Sequence, residues 1–267
     1  MQIEYFFSHR NYFKIPILFI LQRFGKKASA CKNMISLLDP DNPHAPFPPV
    51  DSAEREPDGL LAVGGDLSPV RLLNAYRQGI FPWYSEEQPI LWWSPNPRMV
   101  LFPQKIKVSK SLNKTLRNRG YVFSFDQAFS SVINHCAMPQ PGREETWITD
   151  EMMDAYIHLH KLGFAHSAEV WEEDRLVGGL YGVAIGRVFF GESMFSLSRD
   201  ASKIALVHLA NALAEQAFEL IDCQVYTAHL VTLGAEEIDR DSFTQLLNHH
   251  CQQTGFIGSW QKGINPQ

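Results

Sequence analysis

A carboxylate, a thiol and an amide stand in a row at Asp222, Cys223 and Gln224, inside the apolar run LIDCQV. If the run is a β-strand, its side chains alternate, so Asp222 and Gln224 project from one face and Cys223 from the other. An acid beside an amide can polarise and orient a substrate amine or carbonyl. Cys223 as a thiolate nucleophile is the rival reading, but it points the opposite way and has no evident histidine partner in sequence, which makes it a core cysteine. Upstream, GGLYGVAIGRVFFGESMF reads as two strands joined by a short turn at Ile185-Gly186. A helix from about Ala201 to Phe218 then leads into the strand that bears Asp222 and Gln224.

A second chemical signal is basic. From Arg98 to Gly120 there are seven Lys and Arg and no Asp or Glu, so the rest of the chain carries a charge of −12 against −5 for the whole. Ser109 caps a helix on which Leu112 and Leu116 face inward while Lys110, Lys114 and Arg117 form a stripe. Such a stripe suits phosphate binding, although a basic helix face is often just solvated. The ten histidines, His158-x-His160 and His249-His250 among them, show no spacing that gathers metal ligands. Cys31, Cys136, Cys223 and Cys251 form no C-x-x-C pair and point to a reducing compartment. Gly64-Gly65 precedes a helix capped by Ser68 with Pro69 at its first position, but no complete phosphate-loop motif surrounds it; a plain turn is expected.

At 267 residues, 45% of them hydrophobic and 20% charged, the chain is an ordinary globular one with room for one large or two modest domains. Residues 1–33 differ in character from the rest of the chain. Their apolar run, Ile15 to Leu21, is far short of the ~20 residues that span a bilayer. Ala28-Ser29-Ala30 is cleavage-like, but the cysteine usage gives export no support. The segment reads as an appended or mis-started leader, poorly ordered, with Met34 as the alternative start. A proline-rich stretch to Val50 favours extended backbone. Further helices are expected where Asp126 opens one carrying Phe129, Val132, Ile133 and Cys136, where Thr149 or Asp150 caps one stopping at Gly163, and from Asp241 to about Cys251.

Strands His166 to Trp171, Arg175 to Ala184 and Arg187 to Phe195, then a helix and a last strand, give the order β-β-β-α-β. That is an α+β layout compatible with the acetyl-CoA-binding acyltransferase scaffold. The scaffold holds pyrophosphate on a glycine-rich turn at its helix start, whereas Ser196 to Ser202 contains no glycine, so coenzyme A binding is disfavoured.

Taken together and in order, EPDGLLAVGGDLSPVRLLNAYRQGIFPWY, ILWWSPNPRMVL, TWIT, HSAEVW, LVGGLYGV, FFGESMFS and LIDCQV closely resemble the bacterial leucyl/phenylalanyl-tRNA-protein transferases, from about Met34 to Gly255. The resemblance implies two α+β domains: a small N-terminal one (34–98) and a larger acetyltransferase-like (GNAT-like) catalytic one (99–267). It also implies transfer of Leu or Phe from aminoacyl-tRNA to the N-terminal Arg or Lys of an acceptor protein, marking it for degradation, by a cytoplasmic monomer that needs no membrane, metal or other cofactor.

By the same resemblance, Gln224 would accept a hydrogen bond from the acceptor amine while Asp222 orients it. Trp147, Leu180 and Phe189 would wall an apolar pocket, with Glu192 near the aminoacyl group. Tyr76 and Trp83 would meet the 3′-terminal adenosine, and Lys110, Lys114, Arg117 and Arg119 would grip acceptor-stem phosphates. The residue types suit the chemistry. An aminoacyl ester is already activated, so aminolysis needs only positioning, proton removal and stabilisation of the carbonyl oxygen. One tension stands: alternation places Phe189 and Glu192 on opposite faces unless the strand bulges at Gly191. Two other classes, a CoA-dependent N-acetyltransferase and a noncatalytic RNA-binding protein, would differ in the assay by needing no tRNA or by giving no product.

Overall fold

The computed structural model describes residues 35–138 and 146–264, so the leader lies outside the described residues. Four short strands, β1 (Ser36–Leu38), β2 (Leu60–Gly64), β3 (Phe81–Pro82) and β4 (Leu91–Trp93), form an N-terminal sheet in the order β1-β2-β4-β3. Between β2 and β3 runs helix α1 (Pro69–Arg77), begun by Ser68, whose hydroxyl accepts the Arg71 N–H. Gly64 and Gly65 both take positive φ, which makes this the expected turn. The proline-rich segment, expected to be extended, instead makes two successive turns, with the Asn42 N–H on the Asp39 carbonyl and the Ala45 N–H on that of Asn42, because the fully buried Arg71 gathers the carbonyls of Asp39, Asn42 and Ala45 onto its guanidinium.

The larger sheet has seven strands. They are β5 (Arg98–Leu101), β6 (Val122–Phe125), β7 (Ala165–Glu172), β8 (Arg175–Ile185), β9 (Val188–Ser196), β10 (Leu220–Gln224) and β11 (Glu236–Ile238), in the order β11-β5-β10-β9-β8-β7-β6. The expected β-β-β-α-β core is β7-β8-β9, helix α5 (Ala201–Glu215) and β10, all antiparallel except the β9–β10 pair. Helix α2 (Lys110–Asn118) follows β5; α3 (Phe129–Ala137) and α4 (Asp150–Lys161) precede β7; α6 (Ala228–Thr232) and α7 (Arg240–His250) lie after β10. On one face α5 packs so closely that a Cβ on Gly178 would stand 2.5 Å from that of Ala201. Tyr181 of β8 points to the other face, where its ring meets Phe129 of α3 and Tyr156 of α4.

Two further local expectations are corrected. Asp126 does not start a helix: it adopts φ 57°, and its carboxylate takes His166 Nδ1 at 2.9 Å, the Ser167 N–H at 3.0 Å and the Trp260 N–H at 2.7 Å. Those three partners, from β7 and the C-terminal segment, outcompete a helix cap, and α3 begins only at Phe129. Arg98, counted with the basic stretch, is buried in β5 and faces Asp222, because a strand of the large sheet runs through that position.

Candidate active site

Asp222 and Gln224 do meet one cluster, by a route that simple alternation does not describe. The β10 register slips between them, and Gln224 sits at φ 64°, a left-handed conformation that a non-glycine residue adopts only under constraint. The constraint is Asp222 itself, whose Oδ1 accepts the Gln224 backbone N–H at 2.9 Å. Arg98 holds Asp222 in turn, through a two-pronged ion pair of 2.8 and 2.7 Å, with all three residues buried. Asp222 therefore orients Gln224 through the backbone. The Gln224 side-chain amide is set by a different carboxylate, donating from Nε2 to Glu192 Oε1 at 3.0 Å.

Glu192 reaches this position because β9 bulges. Gly191 pairs with Gly182 and Ser193 with Tyr181, leaving Glu192 as the extra residue between them. It is fully buried and accepts three hydrogen bonds: Tyr76 to Oε1 at 2.7 Å, Tyr156 to Oε2 at 2.9 Å, and Gln224. The two tyrosine hydroxyls also lie within hydrogen-bond reach of each other, a contact that has a proton of its own only when the Glu192 carboxyl is protonated. Burial pushes the Glu192 carboxyl up to about 8. It also drives both tyrosines well above their ordinary range, so each remains a donor. Beside this network, Gln224 Oε1 is buried with no hydrogen-bond partner among the described residues. An amide oxygen so desolvated costs about 1–3 kcal/mol, which a substrate donor would relieve.

The other expected residues fall into three places. Trp83 and Trp147 line one narrow crevice with Tyr84, Ser85, Gln88, Leu91 and Trp93 at the N-terminal sheet. Leu180 and Phe189 lie on the α5 side of the large sheet; the Phe189 ring fills the space that a Cβ on Gly182 would need, 2.6 Å away. The β9 bulge exists, yet Phe189 and Glu192 still occupy opposite faces. β9 and β10 pair from Leu220–Val188 to Asp222–Phe190, and beyond that point Glu192 and Gln224 meet through their side chains. Tyr76 is fully buried, with its ring against Phe190 and its hydroxyl on Glu192, so in this conformation it offers no open face to a base. Cys223 is buried too, and burial raises its thiol well above the ordinary range, as suits a core residue.

Lys110, Lys114, Arg117 and Arg119 are all exposed on or just after α2. Arg119 pairs with Glu172 at 3.3 Å and Lys105 with Glu236 at 3.4 Å, while Lys110, Lys114 and Arg117 make no ion pair among the described residues. The α5 N-terminus, where the scaffold would seat a pyrophosphate, instead carries Asp200, whose carboxylate takes the Thr115 hydroxyl at 3.0 Å. A negative charge placed there repels an anion.

Sequence reasoning missed Arg98 and Tyr156 as partners of this cluster. Arg98 had a signal, a lone cation leading the apolar run RMVL; Tyr156 had none, being one apolar-face position of an ordinary helix.

A seven-stranded sheet that is antiparallel but for one parallel pair, with helices packed on both of its faces and a smaller N-terminal sheet beside it, is an α+β fold of the acyltransferase-like kind. The sequence profile of the leucyl/phenylalanyl-tRNA protein transferases matches residues 100–248, and that of their N-terminal domain residues 65–96. The leucyl/phenylalanyl-tRNA–protein transferase of Methylococcus capsulatus is 53% identical over 85% of this chain and 97% of its own length. That of Nitrosomonas europaea is 59% identical over 80% and 91%. The chain belongs to the leucyl/phenylalanyl-tRNA protein transferase family. Among solved structures, L-PGS from Bacillus licheniformis is similar over 57% of this chain and 56% of its own at 12% identity, with a TM-score of 0.37, too slight a likeness to bear on function.

Proposed function

We propose that this protein transfers Leu or Phe from aminoacyl-tRNA to the N-terminal Arg or Lys of an acceptor protein, as a cytoplasmic monomer of two domains divided between residues 34–98 and 99–267. The observation that carries the reading is Gln224 Oε1, a buried acceptor without a donor among the described residues, held beside Glu192. An amine entering there supplies the missing donor. The ester then lies beside Gln224, with its apolar side chain toward Leu180 and Phe189 and its adenine toward Trp83, whose crevice Trp147, expected as a wall of the amino-acid pocket, lines instead. Lys110, Lys114 and Arg117 take the acceptor-stem phosphates. Phosphate contacts read no base sequence, so the amino acid rather than the tRNA body decides what is used.

Asp222 acts by fixing Gln224. Asp222→Ala removes the backbone anchor and the partner of Arg98, and transfer is expected to be lost while charged tRNA still binds. The direct test is radiolabelled Leu-tRNA with an Arg-initiated peptide, with and without ribonuclease pretreatment. Label appearing in peptide only from intact tRNA supports the reading; label from an acyl-CoA donor, or tRNA binding without product, refutes it.

A further inference from the structure

The oxygens around Gln224 leave two adjacent places open. Glu192 keeps its proton up to a pH of about 8, and once it gives that proton up its carboxylate offers about four acceptor positions. Glu192 fills two on Oε1, with Tyr76 and Gln224, and one on Oε2, with Tyr156. The remaining Oε2 position and the unpartnered Gln224 Oε1 belong to groups already joined by the 3.0 Å bond between Gln224 Nε2 and Glu192. Two neighbouring acceptors in a buried setting match an ammonium group, and of the two that the reaction brings in, those of the aminoacyl ester and of the acceptor, only the acceptor's must give up its proton.

Resting on the transfer reaction above, we infer that Glu192 and Gln224 together seat the incoming α-ammonium and that Glu192 removes its proton. Asp222 is poorly placed for that task, since Arg98 engages both its oxygens and the Gln224 N–H takes Oδ1 as well. An amide such as Gln224 accepts a hydrogen bond but is no base. Tyr76 and Tyr156 are positioning residues. The groups facing Glu192 are Tyr76 from α1, Tyr156 from α4, and Asp222 from β10, whose charge is balanced by Arg98 from β5. Held near 8, the Glu192 carboxyl matches an α-amine at about 7.7–8.0, the condition for efficient proton exchange. In the step itself, the ammonium gives one proton to the Glu192 carboxylate. The freed lone pair forms the C–N bond to the ester carbonyl carbon. On collapse the C–O bond to the ribose breaks, the ribose oxygen takes a second proton from nitrogen, and Glu192 later releases its own to water.

Single-turnover transfer from Leu-tRNA to an Arg-initiated peptide, and to the same peptide with an aminooxy group in place of its α-amine, separates a base from a merely structural residue. The aminooxy group is already neutral at pH 7. Glu192→Gln, which keeps the shape of the side chain, should slow the amine reaction at pH 7 by about 100-fold or more, the scale of general-base catalysis, and leave the aminooxy reaction within about tenfold of wild type. Tyr156→Phe keeps the base but deletes a bond that favours its charged form, and should move the rising limb of the pH–rate profile upward. It carries the test if Glu192→Gln fails to fold. Equal slowing of both acceptors by Glu192→Gln, or an unmoved pH profile for Tyr156→Phe, overturns the inference. Wild-type protein that transfers to neither acceptor sinks the transfer reading itself, and the inference with it.

Discussion

Replacing Glu192 by Gln should change how stability depends on pH, and the size of the effect can be worked out. Burial raises the Glu192 carboxyl from 4.5 to about 8 on folding. Between those values the native state keeps a proton that the unfolded chain has released, so wild-type stability declines as pH rises. Below pH 4.5 both states are protonated and nothing is lost; above 8 the full cost of a buried charge is present. Each pH unit within the window costs about 1.4 kcal/mol. From pH 5 to pH 7.5 the penalty is therefore on the order of 3 kcal/mol. Glutamine carries no such proton, so Glu192→Gln should gain that amount on wild type over the interval, whatever constant offset the substitution introduces. Urea unfolding of both proteins at the two pH values measures it, with midpoints compared at matched slope. Parallel stabilities across the interval would show that Glu192 is solvated or permanently charged, and the account of a buried, proton-holding carboxyl would be wrong.

Other outcomes depend on the same network and its surroundings. Arg98→Met should cost about 3–5 kcal/mol, because it strands the buried Asp222 carboxylate, while Arg98→Met with Asp222→Leu should recover only part of that loss in urea titrations, since it leaves the buried Gln224 N–H without its acceptor. The single substitution also strips a guanidinium from between the Phe81 and Phe243 rings, each 4.7 Å away, so a part of the cost should persist in the pair. Lys110→Glu with Lys114→Glu should weaken charged-tRNA binding and flatten its log–log salt slope by roughly one per lysine; an unchanged slope in filter binding would make the stripe a solvated face. Gly182→Ala should lower the melting temperature, since the new Cβ would lie 2.2 Å from the Phe190 carbonyl oxygen and a backbone atom cannot swing aside.

Much of the molecule was legible from local pattern. Ser68, Ser109 and Thr149 cap the helices that their positions suggested, because a hydroxyl accepting a backbone N–H at a helix start is a short-range event. The β8–β9 hairpin and the return through α5 to β10 were likewise readable from periodicity and the turn at Gly186. The dense run of family motifs carried the class of reaction.

Tertiary structure decided which polar groups meet. Asp222 and Arg98 are brought together by the antiparallel pairing of β10 with β5, strands more than a hundred residues apart in the chain, and no local signal specifies that pairing. Glu192 joins Gln224 because β9 bulges against β8 and β10 turns left-handed, the first a matter of cross-strand pairing and the second of a local bond from the Gln224 N–H to Asp222 two residues back. Tyr76 and Tyr156 arrive from separate helices. Amino-acid order thus determined the elements, through interactions spanning a few residues, whereas the proton affinity of the Glu192 carboxyl was decided by burial, a property that exists only once distant segments have closed around it.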